Sequence, residues 1–368
     1  MSYDPFARGE HPVGVRSVDL KDPARDRLLP LELWYPAAEE HRGQDLSDET
    51  RDHYKWMAAA PEATQDAVRD AAPRGPRNGR FPLVVFSHGW GGHRRQTTHF
   101  CIHLASHGYV VASPDHTGNT MVDTMELFMK VQAGGALPDA QELMGGFIAN
   151  RPADASFVID QAFAGGLGAG AESIDADAIG MTGHSFGGWT TLTTTGRDPR
   201  IRAALPLAPA GGETPLIRDL NPLADALDLD WKRDVPTLYL VAEFDNLLPL
   251  EGMHDLVKRT RGPAKMVVLL NSDHMHFCDR VEETHEMFRV MGGMISGGME
   301  GAPDFGSILE KLKPASELCP GEAAYAFLQG LGLAHMDAHL RGNGEAAAIL
   351  EGDVEALLRE RSVAVKVA

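Results

Sequence analysis

The stretch Gly183-His184-Ser185-Phe186-Gly187 sets a serine between two glycines, after the strand-like run Ile179 to Thr182 and before the helix-like run Trp189 to Thr195. A serine on a sharp strand-to-helix turn projects its hydroxyl outward, and its neighbours must then lack bulk, as Gly183 and Gly187 do. The helix that follows would aim unpaired N–H groups and its positive dipole end at the place where an oxyanion forms. The chemistry that suits this spacing is nucleophilic acyl transfer with Ser185 as nucleophile. The competing explanation is a chance match in a glycine-rich chain, so the partners decide.

A serine hydroxyl needs a general base, and the base needs a group that orients it and stabilises its charged form. The G-x-S-x-G turn resembles the nucleophile elbow of α/β-hydrolases, and that resemblance implies that both sit on loops at the carboxyl ends of later strands, in the order serine, acid, histidine. The strand-like Thr237 to Val241 is followed by Ala242-Glu243-Phe244-Asp245-Asn246, and Met266 to Leu270 by Asn271-Ser272-Asp273-His274-Met275-His276-Phe277. Asp245 is favoured over Glu243 because Phe-Asp-Asn-Leu-Leu-Pro has the look of an acid turn. His274 is favoured over His276, partly for the apolar Phe277 three places on, and among 16 histidines only its place after the last core strand singles it out. The turn Ser87-His88-Gly89-Trp90-Gly91-Gly92 after the first core strand can aim backbone N–H groups at a developing negative charge. The expected oxyanion donors are the N–H groups of Trp90 and Phe186, with the Trp90 side chain as a wall of the acyl pocket. Neither G-x-G-x-x-G nor G-x-x-x-x-G-K-[ST] occurs here, so a nucleotide phosphate is a poor alternative for this turn.

The elements that must position these residues follow from the apolar pattern. Val13 to Leu20 and Leu28 to Tyr35, separated by Asp22-Pro23-Ala24-Arg25-Asp26, read as a hairpin. Residues 37–79 read as a polar surface excursion with a short helix around Glu49 to Ala60. From Phe81 onward, apolar strands at 83–86, 110–112, 179–181, 203–205, 237–241 and 266–270 alternate with helices at 97–107, 153–164, 189–195 and 252–259. Apolar strands separated by helices predict an α/β fold with a mostly parallel, doubly wound sheet covered on both faces. Residues 118–150, 211–232 and 284–320 fall outside the repeating unit and read as insertions; methionines and phenylalanines in the first, and methionines from Met287 to Met299 in the last, suit either surface packing or a mobile apolar lid. Two helices, Glu322 to Arg341 and Ala346 to Arg361, close the one domain spanning 1–368.

With 368 residues and 43% apolar content, the chain can bury one large core plus insertions. A formal charge of −18 argues against nucleic acid or an anionic membrane as partner. The amino-terminal residues have no apolar signal-like core, and no run approaches the roughly 18 apolar residues of a membrane span, so a cytoplasmic location is expected. Cys101, Cys278 and Cys319 are odd in number and far apart, which predicts free thiols and neither disulfides nor a zinc site. No metal or organic cofactor is required, the expected partner is a small-molecule ester, and the sequence is silent on oligomeric state.

The tracts Phe86 to Gly92, Leu104 to Ala112 and Gly183 to Gly188, together with Pro12 to Val15 and Leu33 to Ala37, make the chain resemble the platelet-activating factor acetylhydrolase and dienelactone hydrolase-like group of α/β-hydrolases. The resemblance spans most of residues 10–280 and the final helices. It implies the α/β-hydrolase fold and a serine carboxylic-ester hydrolase working through Ser185, His274 and Asp245 and an acyl-enzyme. Amide, lactone or polyester cleavage by the same machinery, or a catalytically silent binding protein, are the alternatives. Two departures stand out. The acetylhydrolase carries its acid soon after the strand following the nucleophile, where this chain has Leu207-Ala208-Pro209-Ala210 and no carboxylate before Glu213. Dienelactone hydrolase itself uses a cysteine where this chain has Ser185.

Overall fold

The computed structural model describes residues 3–57, 60–75, 80–136, 138–168, 173–212, 222–296 and 311–368. The hairpin forms as expected: β1 (Val13–Asp22) pairs antiparallel with β2 (Arg27–Pro36) from Val13 opposite Pro36 to Asp22 opposite Arg27. The short helix expected around Glu49 to Ala60 is a correction. The described part is instead strand β3 (Asp52–Tyr54), paired with β4 (Ala63–Gln65), before a two-residue strand β5 (Val68–Arg69) on the edge of β1. Tertiary bonds outweigh helix propensity there: the Asp52 carboxylate accepts from Gln65 Nε2 at 2.6 Å and from two nitrogens of Arg69, and Gln65 Oε1 accepts from the buried Trp34 indole at 2.8 Å.

The core strands then follow: β6 (Phe81–Ser87), β7 (Val110–Pro114), β8 (Ile174–His184), β9 (Ile201–Leu207), β10 (Thr237–Ala242) and β11 (Ala264–Leu269), with β12 (Val365–Val367) added antiparallel to β11. Their order in the ten-stranded sheet is β12-β11-β10-β9-β8-β6-β7-β2-β1-β5, parallel from β11 through β7. From β6 the chain steps outward to β7 and then returns to β8 on the other side. The carboxyl ends of β6 and β8 therefore flank the switch point, where such sheets hold their ligands.

Helices cover both faces. In chain order, α1 (Thr98–Ser106) and the later helix 321–340 pack against Trp34, Val84, Phe86, Leu205 and Leu240, while α2 (Met121–Gln132) has no buried residue. On the other face, α3 (Ala140–Ala164) packs through Ala155, Val158, Ile159 and Ala162, and α4 (Phe186–Arg197) through Phe186, Trp189 and Leu192. α3 begins inside the segment expected as an insertion, and it continues through Pro152, a residue that normally ends a helix. Of the other two insertions, residues 213–221 and 297–310 lie outside the described residues; the flanking parts include Trp231, which is buried, and the helix Val281–Ser296. The last helix expected, Ala346 to Arg361, is two helices, Gly344–Glu351 and Val354–Arg359, interrupted at Gly352.

Candidate active site

Ser185 ends β8 and begins α4 with φ 59° and ψ −116°, in the left-handed half of backbone space that costs a residue with a Cβ on the order of 1–3 kcal/mol. Three backbone bonds hold it there: Ser185 N–H donates to Leu207 O at 2.9 Å, and Ser185 O accepts from Trp189 and Ala210 N–H at 3.1 and 3.0 Å. The glycines flanking it are required by approach: a Cβ on Gly187 would lie 1.8 Å from Ser87 O, and one on Gly183 would lie 2.5 Å from Gly187 O. Ser185 stays partly exposed while its neighbours on both sides are buried.

Asp245 and His274 come together from the loops after β10 and β11. His274 Nδ1 donates to Asp245 Oδ2 at 2.6 Å, and both side chains are almost fully buried. The other carboxylate oxygen, Oδ1, accepts from Leu247 and Leu248 N–H at 3.0 and 2.8 Å, which fixes the plane of the carboxylate. The His274 ring lies against His184, the residue before Ser185, with ring centroids 4.5 Å apart. Burial pulls the His274 pKa down, but Asp245 and then Asp273 outweigh it, so the net shift is upward from 6.5. Asp273 accepts the His274 N–H at 2.5 Å, and burial and Asp245 push its own carboxyl up to about 6.

The rival residues have other work. Both ring nitrogens of His276 are engaged by backbone, Nδ1 with Asp273 and Nε2 with Cys319 O, so His276 ties the loop together. Glu243 accepts the Asn271 N–H at 2.7 Å. Phe277 is buried with its ring 5.6 Å from His184. The three cysteines are free thiols, and Cys278 Sγ lies 3.9 Å from His184 Nδ1.

The glycine-rich turn sits beside the serine: a Cβ built on Gly89 would lie 3.4 Å from Ser185 Cβ. Gln96 stitches the two together, its Oε1 accepting from Gly89 N–H at 2.9 Å and its Nε2 donating to His184 Nδ1 at 3.0 Å. Gly89 N–H is thereby occupied. The N–H groups of Trp90 and Phe186 have no hydrogen-bond acceptor among the described residues, and that of Phe186 is the first of its helix. The Trp90 indole is 48% exposed, stacked at 5.8 Å on Phe186 and met edge-on by Phe147 at 5.2 Å. Nearby, Met121 N–H donates to Gly92 O, so α2, with Phe128 and Met129 exposed, starts from this turn.

Sequence reasoning missed a second Ser-His-Asp chain under the turn. The Ser87 hydroxyl donates to His116 Nε2 at 2.8 Å, and His116 Nδ1 donates to Asp154 Oδ2 at 3.1 Å. All three are buried, and Asp154 is also held by Arg25 and Arg27. Burial and the nearby Arg151 pull His116 down to about 4, against the pull of Asp154. The hydrogen bonds match those of a nucleophile chain, but no substrate can reach Ser87. No signal in the sequence pairs these residues, which lie 29 and 38 positions apart.

Comparison with known proteins agrees with this architecture. Residues 7–142 match the family model for platelet-activating factor acetylhydrolase, isoform II. The platelet-activating factor acetylhydrolase of Cavia porcellus is 24% identical over 93% of this chain and 77% of its own length, and that of Canis lupus familiaris is 29% identical over 35% of each. A ferulic acid esterase from Streptomyces cinnamoneus superposes with a TM-score of 0.66 at 24% identity, covering 98% of both chains. The chain is thus a carboxylic ester hydrolase with the α/β-hydrolase fold. Within that class it is similar to the platelet-activating factor acetylhydrolases. Among the described residues, no helix is long and apolar enough to cross a membrane.

Proposed function

We propose that the chain is a serine hydrolase of small or medium carboxylic esters that acts through Ser185, His274 and Asp245. The observation that carries this reading is the buried 2.6 Å bond from His274 to Asp245, on loops that lead to the strained, partly exposed Ser185. His274 Nε2 takes the Ser185 proton as Oγ attacks the ester carbonyl, and Asp245 holds the tautomer that leaves Nε2 free to do so. The N–H groups of Trp90 and Phe186 stabilise the tetrahedral oxyanion. His274 then protonates the leaving alcohol, and water repeats the sequence to release the acid. The exposed Trp90 face offers the acyl or alcohol group a flat apolar wall, with α2 at its rim. The ferulic acid esterase and the acetylhydrolases named above support ester cleavage, and the same machinery could open an amide, lactone or polyester.

The deciding experiment uses the second serine chain as an internal control. A fluorophosphonate probe followed by peptide mass spectrometry is expected to modify Ser185 and leave Ser87 untouched. No labelling at Ser185 would favour a silent scaffold, and labelling at Ser87 would contradict its burial.

The pH profile offers a second check. The base works only when neutral, and His274 is held above 6.5, so kcat/KM should fall as pH drops through a midpoint above 6.5. A rising limb centred below 6.5 would mean that Asp245 and Asp273 do not govern the base.

A further inference from the structure

Arg151 is 1% exposed, and no carboxylate lies within ion-pair distance of it among the described residues. Its nitrogens go to neutral acceptors: Nε to Asn119 Oδ1 at 2.8 Å, one terminal nitrogen to His88 O at 2.8 Å, and the other to Gly89 O at 3.0 Å. Longer contacts at 3.4 Å reach Ser87 Oγ and Thr190 Oγ1, and the guanidinium carbon lies 4.3 Å from the centre of the Phe186 ring. Burial lowers its pKa to about 9, which still leaves it cationic at neutral pH. Stability is a poor reason to bury such a group, because well-packed apolar residues can replace a buried charge without loss.

Its targets suggest the reason. The carbonyl of Gly89 and the N–H of Trp90 belong to one planar trans peptide and point in opposite directions. A cation bonded to that carbonyl fixes the direction of the N–H and polarises it, as hydrogen-bonded groups in series do. The same carbonyl accepts from His88 Nδ1 at 2.7 Å and Gly92 N–H at 3.2 Å, so three donors converge on it and only Arg151 brings a charge.

We propose that Arg151 is a positioning residue for the oxyanion turn: through the Gly89 carbonyl it orients and polarises the Gly89–Trp90 peptide whose N–H meets the charge developing on the substrate oxygen. This rests on the reading of Ser185 as nucleophile and Trp90 as oxyanion donor. It also gives Phe186, which carries the second donor, a cationic seat beneath its ring.

The test compares Arg151→Met, Arg151→Lys and Ser185→Ala in the full chain, with p-nitrophenyl acetate as substrate and phenylboronic acid as the mimic of the tetrahedral adduct. Arg151→Met should lower kcat by about 30-fold, less than outright loss of an oxyanion donor, with KM within about threefold. The boronate inhibition constant should rise by the factor by which kcat/KM falls, and Arg151→Lys, which keeps the charge without the fork, should recover about fivefold of the loss and remain about sixfold below wild type. A purely structural role would change the melting temperature without that matched loss. Should Arg151→Met fail to fold, Arg151→Lys alone decides: a kcat loss matched by weaker boronate binding supports the proposal. Wild-type kcat in the variants that fold, or a kcat loss with unchanged boronate affinity, overturns it. A dead Ser185→Ala beside unaltered Arg151 variants removes only this proposal, whereas an active Ser185→Ala removes the reading beneath it.

Discussion

Ser185→Ala is expected to lower kcat on a short nitrophenyl ester by about 10⁵-fold or more, the scale on which removing the nucleophile of an interdependent triad acts. The fold should not suffer. Among the described residues the Ser185 side chain makes no hydrogen bond, so alanine removes no partner, and the three backbone bonds at this position survive the change. The φ of 59° is borne equally by alanine, so the strain is the same before and after. Thermal unfolding of the variant should therefore match wild type within a few degrees, and a stability gain would fit the common trade-off at strained catalytic positions. Retained turnover would remove Ser185 as nucleophile. Loss of turnover together with loss of the folded state would leave the chemistry unassigned to the hydroxyl, and the fluorophosphonate result would then have to carry it.

The legible part of this site is the part whose constraints are local. Gly183 and Gly187 are glycines because Ser87 O and Gly187 O occupy the space a Cβ would need, and that requirement shows in the sequence as spacing around Ser185. Asp245 and His274 could be found because a parallel strand ends where its apolar run ends, and β10 and β11 end within a few residues of each. Arg151 could not be found in this way. Beside Asn119 Oδ1, 32 positions away, its short bonds go to the backbone carbonyls of His88 and Gly89, which carry no residue identity, and it precedes a proline in a helix interrupted in pattern by Gly145 and Gly146. The start of α3 was missed for the same reason, since glycine and proline both argue against a helix interior. The Asp52 region failed differently: its propensity is overridden by Gln65 and Arg69, and such long-range partners leave no periodicity to read.

Asp245→Asn separates the role of the acid from its mere presence. In wild type, Oδ1 accepts from two backbone N–H groups, of Leu247 and Leu248, and Oδ2 accepts from His274 Nδ1. An asparagine must satisfy the same two backbone donors with its one carbonyl oxygen, so its NH₂ is turned toward His274 Nδ1. That nitrogen must then accept, the proton moves to Nε2, and the base faces Ser185 with the wrong tautomer. A loss in kcat of about 10⁴-fold follows, the magnitude seen when the acid of such a triad is made an amide. The pH profile should move as well. Asp245 is the larger of the two carboxylate influences raising His274, and burial opposes both, so without it the residual rising limb should shift to lower pH. Full activity in Asp245→Asn would shift the role of acid to Asp273, the other carboxylate beside His274. A loss in kcat with an unshifted limb would mean that Asp245 orients the imidazole without setting its basicity.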